Sequence, residues 1–292
     1  MPDLVPPEFQ RLLAEIRPKL HRYCARMTGS AVDGEDIVQD AMIKAIDALP
    51  VVGAVENPGG WLFRIAHNTA LDFLRRHARE PVMQSEEELS NLAHTESSDH
   101  GDEAAMTSLR TFVRLPALQR SAVILKDVLG HSVEEVSSIT GASPAAAKSA
   151  LQRGRERLRQ LAAEPQEVNL PLLSEELRVR LNAYVDGFRT GDFDSVRQML
   201  ADDVKLDLVG KFAVQGKAKV REYYGAYAAA AEKWAYAACV IDGRPAMLVF
   251  ERQVDMETPA YFVGLTFDGD RVSAIHDFLY ARYALEGASL LR

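Results

Sequence analysis

Cysteine is nearly absent from this chain: Cys24 and Cys239 are the only two in 292 residues, far apart and each in an apolar setting. Neither a disulfide framework nor a cysteine-built zinc site can organise such a fold, and a reducing cytoplasm suits it. No apolar run approaches the roughly 20 residues that a membrane helix needs, so no membrane partner is expected. The opening stretch Met1–Phe9 is polar and proline-containing, which does not read as a secretory signal. Internal repeats are lacking too. Between Glu80 and Leu109 there is no Lys or Arg at all. From about Pro81 to Asp102 Ser, Glu, Asn and Asp dominate, a composition that cannot bury a core and therefore marks a linker.

Net positive charge is also missing, since the formal charge is −8. That total does not exclude nucleic acid, because binding depends on local patches. Two such patches stand out. One holds Arg64, Arg75, Arg76 and Arg79, with only Asp72 and Glu80 nearby, and the other is the run after Ser143. The 47% apolar content is ample for two or three cores.

The second patch ends a helix-turn-helix pattern. A helix from about Pro116 to Asp127 is followed by the break Leu129-Gly130-His131, and Ser132 then caps a short helix to Thr140 with Glu134 and Glu135 in its first turn. Gly141 supplies a tight turn, Ser143 caps the next helix, and Pro144 takes its first position, where a missing N–H costs nothing. Along that helix Ala147, Ala150, Leu151, Leu158 and Leu161 recur at helical spacing. Lys148, Ser149, Gln152, Arg153, Arg155, Arg157 and Arg159 are left for an exposed face that can meet phosphates and base edges. A short helix pair with solvated arginines has the same pattern without touching DNA.

Residues 8 to 80 read as all-helical. Phe9, Leu12, Leu13, Ile16 and Leu20 form one stripe; Ile37, Val38, Met42, Ile43 and Ile46 form another. Asn57-Pro58-Gly59-Gly60 breaks the pattern, after which helical periodicity returns with Trp61, Ile65, Leu71 and Leu74 facing inward. A further shift, at Glu164 to Pro171, precedes an amphipathic helix starting near Leu173. Helices around Phe193 to Ala201 and Gly216 to Ala231 follow, then strands at Ala235–Ile241, Ala246–Arg252, Ala260–Phe267 and Val272–Tyr280. Helices first and antiparallel strands afterwards predict an α+β domain.

The helical part resembles the sigma-70 family, specifically the extracytoplasmic-function sigma factors of bacterial RNA polymerase. Three pieces in order carry the resemblance: DGEDIVQDAMIKAI at Asp33–Ile46, GGWLFRIAHNTALDFLRRHARE at Gly59–Glu80, and the LPALQRSAVIL segment with its helix-turn-helix. It implies a region 2-like domain over residues 1–80, an acidic linker over 81–108 and a region 4-like domain over 109–162. The implied function is an alternative sigma factor that brings core polymerase to specific promoters, with no enzymatic activity and no cofactor or metal. Its partners would be the polymerase core and promoter DNA. By resemblance, Asp33, Glu35, Asp36 and Asp40 form an exposed acidic face for the polymerase. Trp61, Arg64, His67, Asn68, Asp72, Arg75 and Arg76 would serve the minus-ten element, and Ser143, Lys148, Ser149, Gln152, Arg153 and Arg155 the minus-thirty-five element. Planar groups and cations suit splayed bases and backbone, although Trp61 at an inward helical position also reads as packing. The acidic linker would thread through the polymerase as a DNA mimic, or serve as a solvated tether.

After a second linker at 163–173, residues 174–292 resemble SnoaL-like polyketide cyclases and the cone of ketosteroid isomerase. AYVDGFRTGDFDSVRQMLADDVKLDLVG, GKAKVREYY and VSAIHDFLYARY carry that similarity. Such cones enclose an apolar pocket, here with Asp207, Tyr223, Tyr224, His276 and Asp277 as candidates for proton chemistry. Packing accounts better for the two tyrosines, and strand closure for His276 with Asp277. A small molecule in this pocket is a candidate partner. Some related sigma factors carry this domain as their own regulator, with a DGGGK signature; Asp207-Leu208-Val209-Gly210-Lys211 keeps its ends and loses two glycines. Asp207, Gly210 and Lys211 are therefore the expected regulatory contact. The competing classes are a cyclase or isomerase or a small-molecule sensor fused to a DNA-binding module, and a dimeric operator-binding factor.

Overall fold

The structure, a computed structural model, describes residues 6–53, 55–77, 108–164, 173–288 and 290–291. The chain forms two compact units, Met1–Gln166 and Glu167–Arg292. The acidic stretch from Glu80 to Glu103 and the prolines Pro165 and Pro171 lie outside the described residues.

Unit 1 is helical. α1 (Pro7–Thr28) begins on a proline and closes at Gly29, whose left-handed φ of 79° lets its N–H bond Ala25. Ser30 caps α2 (Ala31–Val52) by accepting from the Asp33 N–H. The two helices touch at Gly34, where an added Cβ would lie 2.6 Å from the Ala25 Cα. Phe9, Leu13, Ile16 and Leu20 are buried, as their spacing predicts, and so are Ile37, Val38 and Met42. Ile43 is the exception at 52% exposed; three positions from Asp40, it sits on the outward arc of α2. In α3 (Pro58–His77) the inner ridge is Leu62, Phe63, Ala66 and Ala70, while Trp61, Ile65, Leu71 and Leu74 are half-buried at its margins.

A short turn α4 (Leu109–Phe112) leads to α5 (Ala117–Val123), which widens into a π-helical stretch over Ile124–Val128. α6 (Val133–Thr140) starts with a reciprocal capping box: Ser132 accepts from the Glu135 N–H at 3.1 Å, and Glu135 accepts from the Ser132 N–H at 2.7 Å. Gly141, at φ 73°, ends it. α7 (Pro144–Ala163) follows, capped by Ser143.

The two helical modules, expected as separate bodies, share one continuous core that runs from Phe9 and Tyr23 through Phe63 to Phe112, Ile124, Ile139 and Leu151. Periodicity shows that a face must be buried but not against which partner. Arg120 strengthens the junction: its guanidinium donates to the carbonyl oxygens of Val113 at 2.8 Å, of Leu115 at 2.9 Å, and of Met27 on α1.

Unit 2 is α+β. α8 (Glu175–Thr190) and α9 (Phe193–Gln198) precede strands β1 (Leu200–Leu208) and β2 (Phe212–Gln215), then α10 (Lys217–Ala229). β3 (Trp234–Ile241), β4 (Arg244–Glu251), β5 (Tyr261–Asp268), β6 (Arg271–Asp277) and the short β7 (Leu290–Leu291) complete a sheet of order β2-β1-β6-β5-β4-β3-β7. Asp242 and Gly243, both at positive φ, join β3 to β4 in the turn that matches strand twist.

Three expectations change here. The helix expected over Phe193–Ala201 stops at Gln198, and residues 200–208 form a strand instead. Val204, Leu206 and Leu208 are buried and alternate with Lys205 and Asp207, the period of a half-buried strand. That strand pairs in parallel with β6, so the sheet is mixed rather than antiparallel throughout. Finally, β6 ends at Asp277, short of Tyr280.

Candidate nucleic-acid interface

On α7 the exposed face carries Lys148, Ser149, Gln152 and Arg153, and Ser143 sits at the helix start, accepting from the Ala146 N–H at 3.2 Å. No carboxylate pairs with Lys148 or Arg153 among the described residues. Arg155 departs from its expected role. Its guanidinium grips Asp127 with two bonds of 2.9 and 2.6 Å, and the Asp127 side chain is only 4% exposed. The hydrogen bonds to this carboxylate raise the Arg155 pKa and make it a brace between α7 and the preceding helix. Arg157 lies 3.8 Å from Glu164, and Arg159 pairs with Glu156. Of Ala145, Ala146 and Ala147 in the first turns of α7, only Ala147 is buried against its neighbours. Gly154 was not singled out from the sequence. A Cβ there would come within 2.6 Å of Val123 Cγ2 and 3.0 Å of the Gln119 oxygen, so it permits the close helix crossing. A lone glycine inside a helical pattern was the available signal.

On α3, Arg64, Asn68, Asp72, Arg75 and Arg76 are exposed and spaced along one face. Asp72 accepts from Arg75 at 3.1 Å, and its carbonyl accepts from Arg76 at 3.4 Å, so the two arginines are held side by side. The other two expected residues point elsewhere. Trp61 is half-buried and packs against Phe9, with ring centroids 6.3 Å apart. His67 is 3% exposed and bonds the Tyr23 hydroxyl at 2.7 Å. Burial holds its pKa down at about 4, so the ring is neutral. His67 lies on the α3 ridge that closes the core and not on the exposed basic face.

The acidic face of α2 also needs one correction. Glu35 is 2% exposed and accepts from Arg17 Nε at 2.9 Å and from its Nη2, an internal ion pair between α1 and α2. Asp33 is half-buried, and Asp36 and Asp40 are exposed. Spacing extends their stripe to Ile43, Asp47 and Val51, all exposed, which makes a mixed acidic and apolar ridge.

In unit 2 the five candidate residues divide. Asp207 and His276 are register partners on β1 and β6. Their neighbours Leu206, Leu208, Ile275 and Asp277 are buried, so alternation places Asp207 and His276 on the opposite sheet face. Tyr224 is buried and shares a 3.1 Å bond with Tyr184. Asp277 is wholly buried and accepts from the Tyr227 hydroxyl at 2.7 Å and the Leu279 N–H at 2.8 Å. Tyr227 was missed in the sequence because an aromatic on a buried helix face looks like packing. Gly210, at φ 79°, and Lys211 form the exposed β1–β2 turn, where the Lys211 N–H bonds Leu208 and its ammonium lies 4.7 Å from the Tyr280 ring centroid. No group of three or more metal-ligating side chains occurs among the described residues, and no helix among them is long and apolar enough to cross a membrane.

Comparison with known proteins adds family evidence to these surfaces. A family model described as Sigma-70 region 2 matches residues 12–80, and one described as Sigma-70, region 4 matches residues 109–158. The RNA polymerase sigma factor CarQ of Myxococcus xanthus is 32% identical over 160 residues, covering 53% of this chain and 90% of that protein. The ECF RNA polymerase sigma factor SigG of Mycobacterium tuberculosis is 27% identical over 302 residues, covering 93% of this chain and 81% of that one. The crystal structure of the extracytoplasmic function sigma factor SigJ, also of Mycobacterium tuberculosis, covers 90% of this chain and 94% of its own at 22% identity and a TM-score of 0.37.

Proposed function

Because the chain belongs to the sigma-70 family, among its extracytoplasmic-function members, we propose that its exposed helix faces divide the work of promoter recognition. It is an alternative RNA polymerase sigma factor: it binds core polymerase and promoter DNA, and such factors initiate transcription without being enzymes. In this division α7 enters the major groove of the minus-thirty-five element, with Lys148, Ser149, Gln152 and Arg153 toward base edges and Ser143 toward the backbone. Arg64, Asn68, Asp72, Arg75 and Arg76 of α3 serve the minus-ten element. The α2 ridge, with Asp36 and Asp40 at its centre and Asp33 at its edge, meets the polymerase. The observation that carries this assignment is that Arg64, Lys148 and Arg153 stand exposed on capped, core-anchored helices with no carboxylate partner among the described residues.

Unit 2 fits a SnoaL-like domain acting in cis on the sigma modules, through the Asp207, Gly210 and Lys211 region. Supporting this, the similarity to SigG covers 93% of the chain and so extends well into unit 2. The protein would act in the cytoplasm, where its polymerase works. In vitro transcription with core polymerase over a pool of genomic promoters, using full-length chain and chain lacking Ser174–Arg292, tests both parts. Specific initiation by the full chain is expected, with a changed promoter output after truncation. No association with core polymerase would overturn the first part, and identical output from both forms would overturn the second.

A further inference from the structure

The interior of unit 2 holds a buried charge with no counter-ion among the described residues. Asp277 is 0% exposed, and its two bonds come from neutral donors, the Tyr227 hydroxyl and the Leu279 N–H. With its proton committed to Asp277, Tyr227 in turn accepts from Tyr261 at 2.9 Å. No Lys, Arg or His stands within ion-pair distance of this carboxylate among the described residues. Burial pushes its pKa up to about 6, yet the bonds it accepts keep it mainly ionised at neutral pH. An unpaired buried carboxylate is costly.

Around this charge the side chains are aromatic. The Phe188 ring lies 5.2 Å from both Tyr227 and Tyr236, Tyr223 lies 5.1 Å from Tyr227, and Tyr227 and Tyr236 are 6.3 Å apart, centroid to centroid. The Tyr223 hydroxyl is buried and leans on the Asp277 carboxylate, whereas the Tyr236 hydroxyl is buried and makes no hydrogen bond; burial raises the pKa values of both. Buried polar groups are almost always satisfied, so the Tyr236 oxygen wants a partner from outside the chain. The site therefore offers a negative charge, ring faces and a hydroxyl oxygen, with no positive group paired to the carboxylate among the described residues; Arg252, just past β4, bears on Tyr236 while its Nε is held by the Trp234 carbonyl. An anionic ligand would be repelled by Asp277, and a neutral carbonyl compound would leave the carboxylate uncompensated. Only a cation answers all three features, since ring faces attract ammonium groups within about 6 Å.

We propose that the interior of unit 2 binds a small organic ammonium compound, its charge held by the Asp277 carboxylate and its alkyl groups by the rings of Tyr223, Tyr227 and Tyr236. Calorimetric titration of the full-length chain with choline, and with 3,3-dimethylbutan-1-ol as its uncharged counterpart of like shape, tests the assignment. Choline is expected to bind at a single site at least about tenfold more tightly than the alcohol. Its affinity should fall about tenfold between pH 7.5 and pH 5, as a carboxylate of pKa about 6 is protonated. Asp277→Asn should abolish binding. Should that variant fail to fold, Tyr236→Phe, which keeps the ring, should still weaken choline several-fold. Equal affinity for choline and the alcohol, binding indifferent to both pH and Tyr236→Phe, or no binding of choline or tetramethylammonium would each overturn the proposal. The last result would leave the Tyr236 hydroxyl to water.

Discussion

The Tyr23 hydroxyl shares a 2.7 Å hydrogen bond with Nδ1 of His67 and donates to Ser121 Oγ at 3.3 Å, so α1, α3 and α5 meet at one buried polar point. The folded state keeps the His67 ring neutral, with a pKa lowered from 6.5 to about 4 by burial. An unfolded chain protonates that ring near its ordinary value. Stability from this site is therefore complete above about pH 6.5 and is lost as pH falls toward 4. The loss at pH 5 comes to about 2 kcal/mol. Urea unfolding of unit 1 at pH 7.5 and pH 5, for the native chain and His67→Gln, checks it: the variant should show a shallower pH dependence by that amount.

Arg153 and Arg155 should separate binding from stability. Arg153→Ala is expected to weaken promoter binding by about 1–3 kcal/mol and to relax specificity at the base it meets, with the melting temperature unchanged. Arg155→Ala leaves the buried Asp127 carboxylate without its brace, so its melting temperature should drop. Footprinting paired with thermal unfolding reads both. Matching loss of melting temperature in the two variants would contradict the placement.

On the α2 ridge proposed to meet the polymerase, Asp40→Lys and Ile43→Glu alter only exposed positions. Each should weaken association with core polymerase in a pull-down titration while leaving unfolding intact. Glu35→Ala should do the reverse, because it removes the buried carboxylate that ties α1 to α2 through Arg17; breaking such a pair costs several kcal/mol when burial is deep and about 1–3 kcal/mol where one partner stays half-open.

Two glycines should resist substitution despite helical geometry. Gly34→Ala pushes a methyl into the Ala25 backbone, and Gly154→Ala pushes one against Val123. Overpacking of this kind costs about 1–3 kcal/mol, against the roughly 1 kcal/mol that alanine gains in an open helix. Thermal melts should show net destabilisation in both, larger at Gly34, where backbone cannot step aside. A stabilised Gly34→Ala chain would refute the close approach of α1 and α2.

Local chemistry was legible in the sequence where short-range rules decide it. Ser132, Gly141, Ser143 and Pro144 occupy the capping and turn positions that their side chains suit. What stayed hidden depends on the partner across a contact. Nothing in the spacing of Glu35 or His67 distinguishes a buried polar residue from an exposed one, because each is satisfied by a residue distant in the chain, Arg17 or Tyr23. Arg155 belongs with the exposed arginines by periodicity and is withdrawn by Asp127, 28 residues earlier. In unit 2 the run from Val204 to Leu208 does alternate, yet the helical stretch before it masks a strand whose partner β6 comes more than sixty residues later in the chain.

The two faces proposed for promoter DNA should part when the holoenzyme forms. Dyes placed on Asn68 and Gln152 should show energy transfer in the free protein and lose it on adding core polymerase with promoter DNA. Undiminished transfer in that complex would show that both faces work from the closed unit.

The shared core of unit 1 carries a geometric penalty. Elements near minus ten and minus thirty-five lie about 25 base pairs apart, roughly 85 Å along B-form DNA at about 3.4 Å per pair. A compact body of this length has a radius of gyration of only about 15 Å, so it cannot straddle both landmarks while closed. If α3 and α7 meet those two elements as proposed, the bonds from Arg120 to Met27 and from Tyr23 to Ser121 must break before the chain can reach across the promoter.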